Sequence, residues 1–274
     1  MEAFKYKNID LKKRKQYMSD AWKLMFRRPL YSFVPFFIIA FLSILAVYAV
    51  PKFSIYLLIL FGMFIVPIVS FEMSYSNEYS KIPFNNVDYI RSNGILNLIK
   101  HFKVEFFLVF FTCVFISYLE TSKELKSSPE EIEPNIIMII IFTIILTLSA
   151  SSIFTYLYRI IFLFNNIYIP FLNKDIKQDE VLANMARKNE KQNLNKFVKC
   201  LFPISFICNL AYFYTTLFFN SVFLSSIIWG FFSAYGVALT YIISKDVCGE
   251  DTKLKEKKKI FDLSGGGKKV ALES

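Results

Sequence analysis

Apolar residues in this chain gather into long uncharged blocks, with basic residues crowded between them. Pro29 to Val50 carries no charge, and neither does Phe53 to Phe71. About 20 mostly apolar residues in a helix cross the ~30 Å hydrocarbon core of a bilayer. Six such spans are predicted, at about 30–50, 53–72, 103–119, 136–158, 197–217 and 221–243. The fourth has room for one more turn, because Arg159 is followed by the apolar run Ile160 to Phe164. Short turns at Val50-Pro-Lys-Phe53 and Phe218-Phe-Asn-Ser221 pair the spans into three hairpins.

The segment before each hairpin has helical apolar spacing of its own. Ser19 or Asp20 is placed to cap a short helix presenting Trp22, Met25 and Phe26, ended by Pro29. Val87, Ile90, Ile95, Leu98, Ile99 and Phe102 recur at helical intervals, with Gly94 as a weak point. Asp179 is placed to cap a third helix carrying Leu182 and Met185 in a polar run to Lys196. Mixed apolar and basic faces of this kind suit helices lying in the membrane interface. The predicted fold is therefore all-α. A basic N-terminal segment (1–28) precedes a six-helix transmembrane domain (29–243), and a lysine-rich tail without a fold of its own (244–274) follows.

Composition supports the membrane reading. Hydrophobic residues make up 55% of the 274 positions, which leaves too little polar chain to coat six buried runs in water. Charge then sets the orientation. Of the basic residues, Lys52, Lys123 and Lys126 alone fall on the side opposite the N-terminus, and that side also holds Glu120, Glu124, Glu130, Glu131 and Glu133. Positive-inside bias places both termini in the cytoplasm, with Arg27 and Arg28 at headgroup level. The formal charge of +10 is thus spread as topology signals, which argues against a nucleic-acid partner. The tail lysines suit anionic lipid at the cytoplasmic face. Cys113, Cys200, Cys208 and Cys248 all lie off the oxidising side, so no disulfide is expected.

Candidate chemistry is sparse. Ser226, Gly230, Ala234 and Ala238 recur every four residues in the sixth span, a small-residue face against which another helix can pack closely, or a homodimer contact. Thr143, Thr147, Ser151 and Thr155 keep the same spacing in the fourth span. Their hydroxyls can bond back to the preceding turn or form a polar seam for a substrate, and they make this span the expected partner of the Gly230 face. Asn209, four residues after Ser205, is expected to join helices. Glu72, Glu105 and Arg159 fall at predicted span ends, so no ionisable group is expected within the bilayer. His101 is the single histidine, which leaves little for a zinc site or acid–base catalysis. Leu263-Ser-Gly-Gly-Gly-Lys-Lys269 lacks the spacing and strand context of a phosphate loop. No catalytic residue, cofactor or metal is expected.

Three short stretches carry a resemblance. They are Trp22 with Pro29-Leu30, then Lys81-Ile-Pro-Phe84 with Asp88, then Val181-Leu-Ala-Asn-Met-Ala186 through Asn195 to Phe197. In these the chain resembles a broad group of bacterial six-span inner-membrane proteins of uncharacterised function, although it lacks that group's usual glycines and adds the lysine-rich tail. The resemblance implies six helices in three hairpins in the bacterial inner membrane and supplies no catalytic residues. The leading expectation is a non-catalytic membrane protein that binds a membrane-protein partner or a lipophilic ligand between its helices. An immunity-type protector against a pore-forming toxin and a small-solute permease are the alternatives.

Overall fold

The computed structural model describes residues 5–49, 52–79, 86–100, 136–174, 179–219 and 221–249, and every regular element among them is helical. In chain order the helices are α1 (Arg14–Arg27), α2 (Pro29–Ala49), α3 (Lys52–Tyr79), α4 (86–100), α5 (Ile136–Lys174), α6 (Asp179–Phe219) and α7 (Val222–Val247). The predicted third span (103–119), the acidic connection Glu120–Asn135, Lys81–Phe84, His101, Glu105, Cys113 and the tail from 250 lie outside the described residues.

Three helices hold stretches long and apolar enough to cross a membrane: Thr143–Leu172, Val181–Thr215 and Phe223–Val247. A fourth candidate is the bent pair Leu11–Arg27 and Pro29–Leu42, whose arms meet at 92°. The bend has a local cause. A residue before proline is pushed out of the α region, and Arg28, ahead of Pro29, sits at φ −141°, ψ 77°. The short helix expected before Pro29 is therefore present. Its start differs from the expectation, because Asp10 and not Ser19 or Asp20 provides the cap. The Asp10 carboxylate accepts from Lys12 N (2.9 Å) ahead of a 3₁₀ turn at Leu11–Lys13 that runs on into α1.

Two helices are much longer than a bilayer needs. At 1.5 Å per residue, the 39 residues of α5 reach about 59 Å and the 41 of α6 about 62 Å. The expected interfacial helix from Asp179 to Lys196 is thus no separate element; it continues without a break into the predicted fifth span. Asn189, Glu190 and Asn193, within what reads as a polar run, are buried. The buried side chains of this stretch meet Arg159 of α5 and Ile9 of the N-terminal segment.

The core centres on α5. Every residue from Ile160 to Pro170 is buried, on all faces of the helix. A helix buried on every side belongs at the centre of a bundle, and here only Asn165 and Asn166 interrupt its apolar and aromatic surface. Phe71 of α3 and Tyr241 of α7, both fully buried, have ring centroids 6.5 Å apart, and Phe71 also lies 5.7 Å from Phe164 of α5. On α4, Gly94 explains itself here. A Cβ at that position would lie 2.7 Å from Cε2 of Phe164, so the expected weak point is where α4 approaches α5. Arg91 of α4 holds Glu72 of α3 through two bonds of 2.8 and 2.9 Å.

Both ends of the described chain belong to this core. Ile9, Tyr17 and Ala21 are buried, Lys7 N donates to Val247 O (2.8 Å), and α7 passes the predicted boundary at 243 with Ser244, Val247 and Cys248 buried. Residues Ile9, Tyr17 and Ala21 thus pack into this core, and Cys248 is buried at the end of α7.

Candidate functional site

The small-residue face of α7 is buried along its length: Ser226, Gly230, Ala234 and Ala238 are all enclosed. Its partner is α2. A Cβ on Gly230 would stand 2.8 Å from Phe37 Cα and 2.9 Å from Phe37 N, so the two backbones touch. This corrects the expectation that the fourth span, with its hydroxyls, faces Gly230. Those hydroxyls are occupied within their own helix: Thr147, Ser151 and Thr155 donate to the carbonyls of Thr143, Thr147 and Ser151 at 2.7, 2.5 and 2.8 Å. Bonding to the preceding turn removes the reason to seek a partner across the bundle. Asn209 of α6 reaches this seam, its Nδ2 donating to Ser151 Oγ at 3.5 Å and to Ser205 O at 2.7 Å.

A second polar group was not anticipated. Arg159, expected at a span end, lies well inside α5 and pairs with Glu190 of α6. One face of α6 adds Asn189 and Asn193, with Asn193 Nδ2 donating to Asn189 Oδ1 (2.7 Å). Asn193 Oδ1 accepts from Ile9 N (2.8 Å), and the Tyr6 hydroxyl donates to Asn166 O (2.7 Å). The extended N-terminal segment is thereby strapped across α5 and α6. In sequence these residues are scattered among lysines, and the signal that could have found them was their three- and four-residue spacing on one helix face.

A third polar group lies beside α1. A cleft of about 360 Å³ is lined by residues including Lys13, Tyr17, Asp20, Lys23, Arg27, Glu78, Lys245 and Asp246. Its charges are largely matched. Lys245 pairs with Glu78, Lys13 with Asp246 (3.1 Å), and Lys23 with Asp20 (3.7 Å), while Arg27 donates to Glu78 O (2.9 Å). The Tyr17 hydroxyl donates to Asp246 Oδ2 (2.7 Å). Burial first, and the Asp246 carboxylate second, push the Tyr17 phenol above its ordinary value of 10.0. These contacts hold α1 against the ends of α3 and α7. They set no nucleophile beside a base.

On the other side of α1, at the elbow with α2, the walls are wholly apolar. Met25, Phe26, Pro29, Leu30, Phe33, Ile227, Ile228, Phe231 and Phe232 enclose a groove of about 420 Å³. Trp22 props its rim, with ring centroids 4.7 Å from Phe26 and 5.8 Å from Phe231. Among the described residues no group of three His, Cys, Asp or Glu could hold a metal ion. Comparison of the chain with family models, with curated proteins and with solved structures finds no match to any of the three.

Proposed function

We propose that this chain is a non-catalytic, six-span protein of the bacterial inner membrane, its spans paired in three hairpins and both termini cytoplasmic. It binds a lipophilic ligand or a membrane-protein partner between its helices. The observation that supports this is the elbow groove. It opens between α1, α2 and α7, is lined by apolar side chains alone, and sits where a basic helix turns 92° from an uncharged one. Among the described residues, the polar clusters above join helices, whereas the apolar walls of this groove stand open. Water is a poor occupant of an apolar groove, whereas acyl chains or apolar side chains fill it without loss.

A photoactivatable residue at Phe33, inside the groove, tests this in living cells against the same residue at Leu42, exposed farther along α2. Adducts to lipid or to another membrane protein are expected in excess at Phe33; equal labelling at both positions would sink the reading. Orientation is tested separately. A reporter at Ser274 should be active only if it works in the cytoplasm, and one inserted near Ser127 should report the opposite side.

A further inference from the structure

The elbow combines an apolar groove with a cation at its edge, and the two together name a chemical class. Pro29 opens α2 and lines the groove, and Arg28 immediately before it is exposed. Trp22, Phe26, Leu30 and Tyr31 are also exposed, at 48%, 46%, 76% and 46%. Half-exposed tryptophan beside lysine and arginine is the pattern of a helix lying at the headgroup level. Because α2 leaves that helix at 92°, the groove in the elbow runs from the plane of α1 towards the apolar length of α2.

We propose that the elbow is a binding site for one anionic phospholipid. Its phosphate-bearing headgroup lies against Arg28, and an acyl chain occupies the groove between Phe33, Ile228 and Phe231. The claim rests on the groove being a ligand site, as proposed above, and adds the ligand's class. Two features favour lipid over a second copy or a partner helix. The groove lies at the level where headgroups and chains meet, and its rim offers positive charge. An apolar partner helix would gain nothing from that charge, whereas an anionic headgroup gains from each nearby Lys or Arg. Free phosphate would meet the arginine and leave the groove empty.

The test uses full-length protein in mild detergent, exposed to an equal mixture of phosphatidylglycerol and phosphatidylcholine and weighed with bound lipid by native mass spectrometry. The wild type should retain phosphatidylglycerol about fivefold over phosphatidylcholine. Arg28→Gln should bring the ratio close to one. Ile228→Trp, apolar for apolar and checked for helicity, should fill the groove and lose retained lipid of both kinds. Excess inorganic phosphate should displace neither. Equal retention of the two lipids by the wild type, or an unchanged preference in Arg28→Gln, overturns the anionic assignment alone. Wild-type lipid retention by Ile228→Trp removes the groove as a ligand site, and the functional reading falls with it. Displacement by phosphate assigns the site to a free anion, and a drop in oligomer mass in Ile228→Trp assigns it to a second copy; either overturns the proposal.

Discussion

Gly230 of α7 meets the backbone of Phe37 in α2, leaving 2.8 Å between a Cβ built on the glycine and the Phe37 Cα. Side chains at such contacts can rotate away, but a main-chain Cα cannot. In lipid there is little hydrophobic drive to join helices, so close backbone contact carries much of the association. Gly230→Ala should cost about 1–3 kcal/mol, and Gly230→Leu should lower the folded yield outright. Leu42→Ala, at an exposed position on the same partner helix, should leave thermal unfolding in detergent unchanged. Equal unfolding temperatures for Gly230→Ala and the wild type would mean that α2 and α7 can separate freely.

The Arg159–Glu190 pair joins α5 to α6, with side-chain exposures of 20% and 2%. Removing one member of a buried pair strands the other charge, at about 3–5 kcal/mol. Glu190→Leu should therefore destabilise more than the double variant with Arg159→Leu. Unfolding curves for the two singles and the double decide the matter, and additive losses would show the residues to be uncoupled.

The bonds that hold the N-terminal segment include Tyr6 to Asn166 O, Lys7 N to Val247 O, and Ile9 N to Asn193 Oδ1. Asn193→Leu removes the acceptor for Ile9 and leaves a buried N–H without its partner, a loss of about 1–3 kcal/mol. Trypsin should then cut faster after Lys7, Lys12 and Lys13. Cleavage at the wild-type rate would show that the strap does not depend on Asn193.

The Tyr17–Asp246 bond predicts a pH dependence. The folded protein holds this phenol above 10.0, so its contribution is complete below pH 10 and falls as pH rises beyond that value. Tyr17→Phe should lose the hydrogen bond to a charged group, about 1.5–3 kcal/mol near neutral pH. It should also flatten the alkaline decline in unfolding temperature. The same alkaline slope in variant and wild type would assign that decline to other groups.

Much of the architecture is legible in the chain because bilayer-length apolar blocks can be satisfied only by helices. Pro29 marks the elbow for the same kind of local reason: the residue before a proline cannot continue an α-helix comfortably. The four-residue spacing of Ser226, Gly230, Ala234 and Ala238 likewise identifies a buried face, since it needs only the 3.6-residue period of the helix. What that face touches was decided elsewhere. Thr147, Ser151 and Thr155 advertise a polar partner surface in sequence, yet they spend their hydroxyls on their own helix, and Phe37 takes the place beside Gly230. Asn189, Glu190 and Asn193 read as the polar run of an interfacial helix, because their own neighbours are mostly lysine, arginine, glutamine and asparagine. They are buried where Glu190 meets Arg159 and Asn193 meets Ile9, partners from parts of the chain that only folding brings together. Helix existence depends on nearest neighbours and the solvent; pairing and burial depend on distant residues, and only the tertiary structure supplies those.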